Sequence, residues 1–481
     1  MNLRKIFNFI PEVTKPSERK LDFKTKLKWT LIVLVAFFVL SNIPLFGLSH
    51  NALERFKYLA IILGTNFGSI ISLGIGPIVM ASIILQLLSG SGIINIDTTT
   101  EEGKKFFQGI QKLLVFFFII FEAMVYVLMQ GLQAAPGFAG LLIFQLILGG
   151  LAIFYMDDVT TKWGFGSGVS LFIGAGVSLR IFTSAFQFIN QQGKNCLFDF
   201  KGTACAGKVW VMIQSLISNP PDQIGFLSAF FAILATVIIF LVVVWAQSLK
   251  IEIPLSFGKI RGYGVKWPLS FFYASVIPVI LTAALIANIQ LFGGMIENAA
   301  APCLAEAGVC TGLAKFASHF GFLGHFVNGR AVSGIVFWMG STNLLELIIR
   351  GSFMFKYLLQ GLTHILIFVF FSTIFALFWV KTSGMDSKAQ AQKIASSGLQ
   401  VAGFRQDQRI LESILDRYIM PLTVMGGIAI GLLASVTNLL GALVSGTAIL
   451  LVIMIMFQFY KSIIEQHQTD MNPVMRKFVG G

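Results

Sequence analysis

The sequence predicts an all-α polytopic membrane protein of about ten transmembrane helices, and three observations carry that reading. Hydrophobic residues make up 56% of the 481 residues and charged residues only 12%, about half the charged share of a soluble globular domain. Mostly apolar runs of 18 or more residues, long enough to cross a bilayer, recur from one end of the chain to the other. Of the 35 Lys and Arg, 25 fall on alternate connecting segments or at the span ends beside them, eight of them before residue 29. That bias follows the positive-inside rule and, with an even number of spans, puts both termini in the cytoplasm. The net charge of +13 is therefore mostly topological. A disordered chain, a soluble coiled coil and an ordinary cytosolic enzyme are excluded by the same figures.

Residues 1–28 are basic and amphipathic, without the uninterrupted apolar core or small-residue cleavage site of a signal peptide, so they read as a retained cytoplasmic segment. Spans are expected at 29–48, 70–88, 113–130, 137–156 and 167–190, then at 224–247, 268–291, 358–381, 418–438 and 444–464. Five spans in 29–190 and five in 224–464 suggest two halves, as in transport proteins built from inverted repeats. The segment ALERFKYLAIILGT (52–65) is too short to cross and too apolar for a simple loop. Two outer segments, 191–223 and 292–357, are too long for connectors. The second contains AVSGIVFWMGSTNLLELIIR, interrupted by Glu346, which reads as a re-entrant or interfacial helix. Inner loops at 248–267 and 382–417 and a tail at 465–481 complete the chain.

Few residues suggest chemistry. Gly202, Gly207 and Lys208 have the spacing of a phosphate-binding loop, but Val209 stands where a magnesium-binding hydroxyl is required. Asp157 and Asp158 are adjacent, so on a helix they point to different faces and cannot share a scissile bond; they read as a solvated helix end. Glu122, in FFFIIFEAMVYVLM, is a carboxylate near mid-span. Such a residue marks a polar cavity, an ion site or a satisfied helix contact. Cys196 and Cys205, and likewise Cys303 and Cys310, lie in the two long outer segments, which suits disulfides of spacing nine and seven. Zinc held by Cys303, Cys310, His319 and His325, and free thiols, are the rival readings. No catalytic, cofactor or metal site is expected. From composition alone, a secondary transporter with Glu122 as its ion or proton site stands beside a channel.

From SLGIGPIVMASIILQLLSGSGII (72–94) onward the chain resembles the SecY family, the channel subunit of the protein translocon, in its archaeal and eukaryotic branch. The likeness continues through FQGIQKLL (107–114), WGFGSGVSLFIGAGVS (163–178), VIPVILTAALIANIQLFG (276–293), GFRQDQ (403–408), RYIMPLTV (417–424) and GTAILLVI (446–453), in collinear order. The resemblance implies two pseudo-symmetric five-helix halves, a cytoplasmic funnel, an apolar constriction, a plug helix at about 52–65 and a lateral gate to lipid. It also implies passage of unfolded secretory polypeptides across the membrane and release of membrane segments sideways into lipid.

Carried over by motif, the constriction is Ile75, Val79, Val169, Ile173, Ile280 and Leu451, and the polar gate residues are Gln86, Glu122 and Asn288. Two departures stand out: Met80, where archaeal relatives read GPIVT, and Asn66, where many relatives carry Arg. Lys250, Lys259, Arg261, Lys266 and Arg405, on the two basic inner loops, are the expected docking residues for the ribosome or a motor ATPase. Small single-span Sec subunits (SecE/gamma and beta-like), signal sequences, nascent polypeptides and membrane lipid are the other partners implied. The location implied is the cell membrane of a prokaryote, of archaeal type.

Overall fold

The computed structural model of the chain describes residues 11–17, 21–53, 60, 63–90, 93–94, 100–189, 195–196, 205–218, 221–257, 264–274, 276–304, 319–327, 330–396, 399–401 and 408–471. The first half holds α1 (Phe23–Asn42), α2 (Gly76–Gly90), α3 (Glu101–Leu128), α4 (Ala139–Trp163) and α5 (Gly168–Phe186). A short α6 (Lys208–Ile217) follows in the outer segment, and the second half is built on α7 (Gln223–Ser248), α8 (Ile277–Leu304), α11 (Phe355–Thr382), α13 (Gln408–Leu439) and α14 (Gly446–Met471). Between these lie the short helices α9 (Ile335–Met339), α10 (Leu344–Ile349) and α12 (Ser387–Ser396).

Eight of the described helices, α3, α4, α5, α7, α8, α11, α13 and α14, are long and apolar enough to cross a membrane. The other two expected spans are α1, of 20 residues, and α2, of only 15. The chain is thus a multi-pass bundle of two five-helix halves. One buried apolar cluster runs through both halves, with contributions from every one of the ten. Burial ranks the helices: 78% of the apolar window of α8 lies inside the bundle but only 28% of that of α7, whose Phe240, Leu241 and Trp245 are exposed. Exposed apolar side chains of that size are stable facing lipid, which makes α7 peripheral and α8 central.

Several expected boundaries move, each for a local reason. The second span was expected from residue 70, but α2 starts at Gly76 because residues 69–75 form turns ending at Gly74, whose φ is +55°. Pro77 then occupies the first turn of α2, where a missing N–H costs nothing. The seventh span was expected from residue 268, but 264–270 is β-strand and the helix begins at Ile277, with Pro278 again in its first turn. The re-entrant segment is two short helices, α9 and α10, parted by Gly340–Asn343. The outer segment 191–223 contains α6, and α14 continues to Met471, into the expected tail.

Strands are few. β1 (Leu48–Asn51) pairs with β2 (Leu132–Ala134), and β5 (His325–Val327) with β6 (Arg330–Ser333), both antiparallel. In the loops expected on the inner side, β3 (Lys250–Phe257) lies between β4 (Gly264–Ser270) and β7 (Leu399–Val401). A second apolar cluster fixes this sheet to the inner helix ends, with Ile253, Leu269 and Tyr273 packed among Val380, Ile394, Leu411 and Leu415. The Tyr273 hydroxyl donates to the Met385 carbonyl at 2.6 Å. Burial raises the pKa of that phenol, so it stays a neutral donor.

Candidate functional site

Five of the six residues of the expected constriction stand on four helices of both halves and Ile75 just precedes α2; all six belong to the apolar cluster that runs through the bundle. Ile75, Val79, Ile173, Ile280 and Leu451 are buried, and Val169 is half-buried against the same cluster. Ile75 precedes α2 and its carbonyl accepts from Val79 N at 3.0 Å, so the two side chains follow one another on one face. Val169 and Ile173 stand in the first turns of α5. The start of α5 is fixed by α4: Asp157 Oδ1 accepts from Val169 N at 2.9 Å. A Cβ at Gly168 would lie 2.6 Å from Asp157 Cα, so only glycine permits that approach.

Asp157 and Asp158 are therefore not a solvated helix end. Asp157 caps α5. Asp158 accepts from Val13 N at 3.0 Å and pairs with Lys162 at 2.8 Å, fastening the N-terminal segment to α4. The two side chains point apart, as adjacent helical positions require.

The end of the expected plug segment lies against two residues of the expected constriction. Of 52–65, residues 54–59, 61 and 62 lie outside the described residues. Leu63 carbonyl accepts from Ile75 N at 2.9 Å, and Thr65 Oγ1 donates to Ile71 O at 2.5 Å. A Cβ on Gly64 would stand 3.7 Å from Ile75 Cγ2 and 3.8 Å from Ile173 N. The 63–65 turn thus lies beside Ile75 and Ile173, two residues of the expected constriction. A close backbone contact permits it: a Cβ at Gly74 would lie 2.3 Å from Leu63 O.

Gln86 on α2, Glu122 on α3 and Asn288 on α8 are 3%, 1% and 1% exposed, so all three lie inside the bundle. No hydrogen bond joins them: both Glu122 oxygens, both Asn288 amide atoms and Gln86 Oε1 have no partner among the described residues. The structure brings Glu122 against α2, where a Cβ on Gly76 would meet its Oε2 at 3.0 Å. Met80, one turn further along α2, packs partly buried against the apolar cluster. Sequence reasoning missed Tyr126, whose buried hydroxyl is also unpartnered; its i,i+4 spacing from Glu122 was the available signal. Buried polar groups without partners carry an uncompensated desolvation cost that water or another polar group would relieve.

A second missed group is the anchorage of α9. Gln360 Nε2 donates to Phe337 O at 2.8 Å while its Oε1 accepts from Thr342 Oγ1 at 2.8 Å. One turn on, His364 Nδ1 lies 2.8 Å from Met339 O and its Nε2 3.3 Å from Asn438 Nδ2, and Asn438 Oδ1 accepts from Thr447 N at 2.8 Å. α11 thereby holds the re-entrant piece against the junction of α13 and α14.

Of the expected docking residues, Lys250 and Lys266 are exposed on β3 and β4; Lys259, Arg261 and Arg405 lie outside the described residues. Lys266 pairs with Glu252 at 2.7 Å, and that hydrogen bond raises the pKa of its ammonium group. The two basic loops are not separate: Leu255, Ser256 and Phe257 of β3 pair with Val401, Gln400 and Leu399 of β7. Cys196 is joined to Cys205 by a disulfide, with Cα atoms 5.7 Å apart. Cys310 and the Cys303 side chain lie outside the described residues, and so does their pairing. His325 is engaged by Glu297 at 2.5 Å, and no group of three or more His, Cys, Asp or Glu fit for a metal occurs among the described residues.

Residues 69–460 match the SecY family model. The chain is 39% identical to the protein translocase subunit SecY of Methanothermobacter thermautotrophicus, over 99% of this chain and 98% of that one. It is 36% identical to the Methanocaldococcus jannaschii subunit, over 98% of each. Among solved structures, a protein-conducting channel superposes with a TM-score of 0.80 at 35% identity, covering 98% of this chain and 99% of the other. Sec61 in a canine ribosome-channel complex from the endoplasmic reticulum superposes at 0.77, also at 35% identity and over 98% and 99%. None of these relatives supports a secondary transporter. The chain belongs to the SecY family, the pore-forming subunits of protein translocases.

Proposed function

We propose that the polypeptide path of this translocase pore runs through the collar of Ile75, Val79, Val169, Ile173, Ile280 and Leu451, with the 63–65 turn as part of its outer seal. One observation carries the reading: the 63–65 turn is bonded to the start of α2 and lies against Ile75 and Ile173, within a buried apolar cluster that also takes in Ile280 and Leu451 of the second half. A narrow apolar throat excludes ions by dewetting, yet deforms around an extended chain without needing specific hydrogen bonds. Lateral release proceeds between α2 and α3 on one side and α8 and α11 on the other, where Gln86, Glu122 and Asn288 lie.

Docking is assigned to the joined inner loops. Lys250, Lys259, Arg261, Lys266 and Arg405 suit RNA phosphates, and the ribosome complex of the related Sec61 supports a ribosome as partner. Small single-span Sec subunits complete the assembly, and both termini face the cytoplasm. The test is the seal. Ile75→Ala with Ile280→Ala widens the throat without charge, and resting conductance in planar bilayers is expected to rise. Unchanged conductance in an assembled complex would show that the constriction lies elsewhere.

A further inference from the structure

We propose that the outer vestibule contains an oxyanion site built on Arg180, and that its ligands are the side-chain carboxylates of polypeptide in transit. Arg180 is a half-buried cation within the span Gly168–Phe186. Among the described residues no carboxylate pairs with it and no acceptor takes a hydrogen bond from its guanidinium. An ionisable side chain at membrane depth without a partner is a functional group by default, since nothing in the fold repays its desolvation.

Arg180 instead lines a cavity of about 570 Å³ beside Ser41, Asn42, Asn51, Asn66 and Ser69. None of the described lining residues is acidic. Asn51 Nδ2 donates to Phe67 O at 3.0 Å and Asn66 Nδ2 to Ser41 O at 3.1 Å. Each primary amide carries two N–H groups, so each keeps one donor for a ligand beside the five of Arg180. Such a set of donors recognises a carboxylate or phosphate oxygen pair, with the guanidinium as the bidentate fork.

Position selects the carboxylate. Arg180 lies seven residues beyond Ile173 on α5, two turns on and on the same face, roughly 10 Å further out. A chain leaving the collar along α5 meets this cation next. The shared face directs it toward the conduit and away from lipid. The same cavity is bounded by Ala60 and by residues 66–69, which flank the turn that closes the collar. An anionic segment held by Arg180 therefore occupies space next to the seal. Its identification as a transit ligand rests on the collar reading above.

Two measurements on the assembled complex test this. In the resting channel, phenylglyoxal modification of Arg180 is followed by mass spectrometry with sodium acetate as probe and the exposed Arg417 as internal reference. Acetate is expected to slow modification at Arg180 at least about threefold relative to Arg417. Equal rates would overturn the site, and protection by phosphatidylglycerol nanodiscs without protection by acetate would assign it to lipid phosphate and overturn the proposal. The second measurement uses the channel widened by Ile75→Ala with Ile280→Ala, where reversal potentials give the acetate-to-potassium permeability ratio. Arg180→Gln is expected to lower that ratio about threefold or more, and Arg180→Lys to retain most of it. An open channel whose ratio ignores Arg180→Gln would reject the transit role. A widened channel that fails to conduct would count against the collar, and acetate protection then decides the site alone.

Discussion

Gly74→Ala is expected to unseat the seal. The residue has φ +55°, and an added Cβ would lie 2.3 Å from Leu63 O and 2.8 Å from Thr65 Cβ. An alanine in the left-handed region costs about 1–2 kcal/mol. The Cβ contact cannot be relieved by a rotamer, because Leu63 O is backbone. The 63–65 turn must therefore withdraw from residue 74, and with it goes the bond from Ile75 N to Leu63 O, worth about 1 kcal/mol net. Together these disfavour the closed arrangement by about 2–3 kcal/mol, a shift of about 30- to 150-fold in the closed-to-open ratio. The assay is single-channel recording of the resting complex, read as open probability. Gly137→Ala is the control, since Gly137 has φ +84° and nothing within 4 Å of its would-be Cβ. It carries the same backbone strain without the collision. If Gly74→Ala is no leakier than Gly137→Ala, the turn is not held on the collar by this contact.

Other outcomes follow from the same geometry. The Lys112 ammonium, through a hydrogen bond and then its charge, with Lys162 adding to it, holds the Glu12 carboxyl below its ordinary 4.5. A depressed carboxylate contributes above its unfolded pKa and loses its contribution as pH falls through the lowered value. Hydrogen exchange of the Val13 amide should thus be unaffected by this group at neutral pH and accelerate only well below 4.5, whereas Glu12→Gln should accelerate it at pH 7. Gln360→Leu leaves Thr342 Oγ1 without its Gln360 partner and Phe337 O with only the Gly340 N–H, so a loss of about 1–3 kcal/mol, read as a lower melting temperature, is expected. Alkylation of unreduced membranes should leave Cys196 and Cys205 unlabelled, and quantitative labelling of both would deny the bond. Arg405→Glu should weaken ribosome or motor binding and flatten its salt dependence; identical curves across a salt series would reject the docking role.

The sequence by itself determined the membrane class, the order of the spans and the family, and it set an expectation for the sidedness. Hydropathy over about twenty residues and the placement of Lys and Arg are signals written along the chain, and they need no partner to be read. Ile75 and Val79, or Val169 and Ile173, were legible as one-face pairs for the same reason. Tertiary structure alone decided what those faces meet. Hydropathy ran the second span back to residue 70, but the contact of Leu63 with Gly74 and Ile75 ends the helix at 76. Asp157 reads as a solvated end until α5 is laid against it, and Arg180 as a stray cation until Asn51 and Asn66 arrive beside it. The inner loops become one sheet only because β7 crosses to β3 from more than a hundred residues away. Burial, hydrogen-bond partners and cavity walls arise between distant segments, and a local pattern holds no information about which segment will stand opposite.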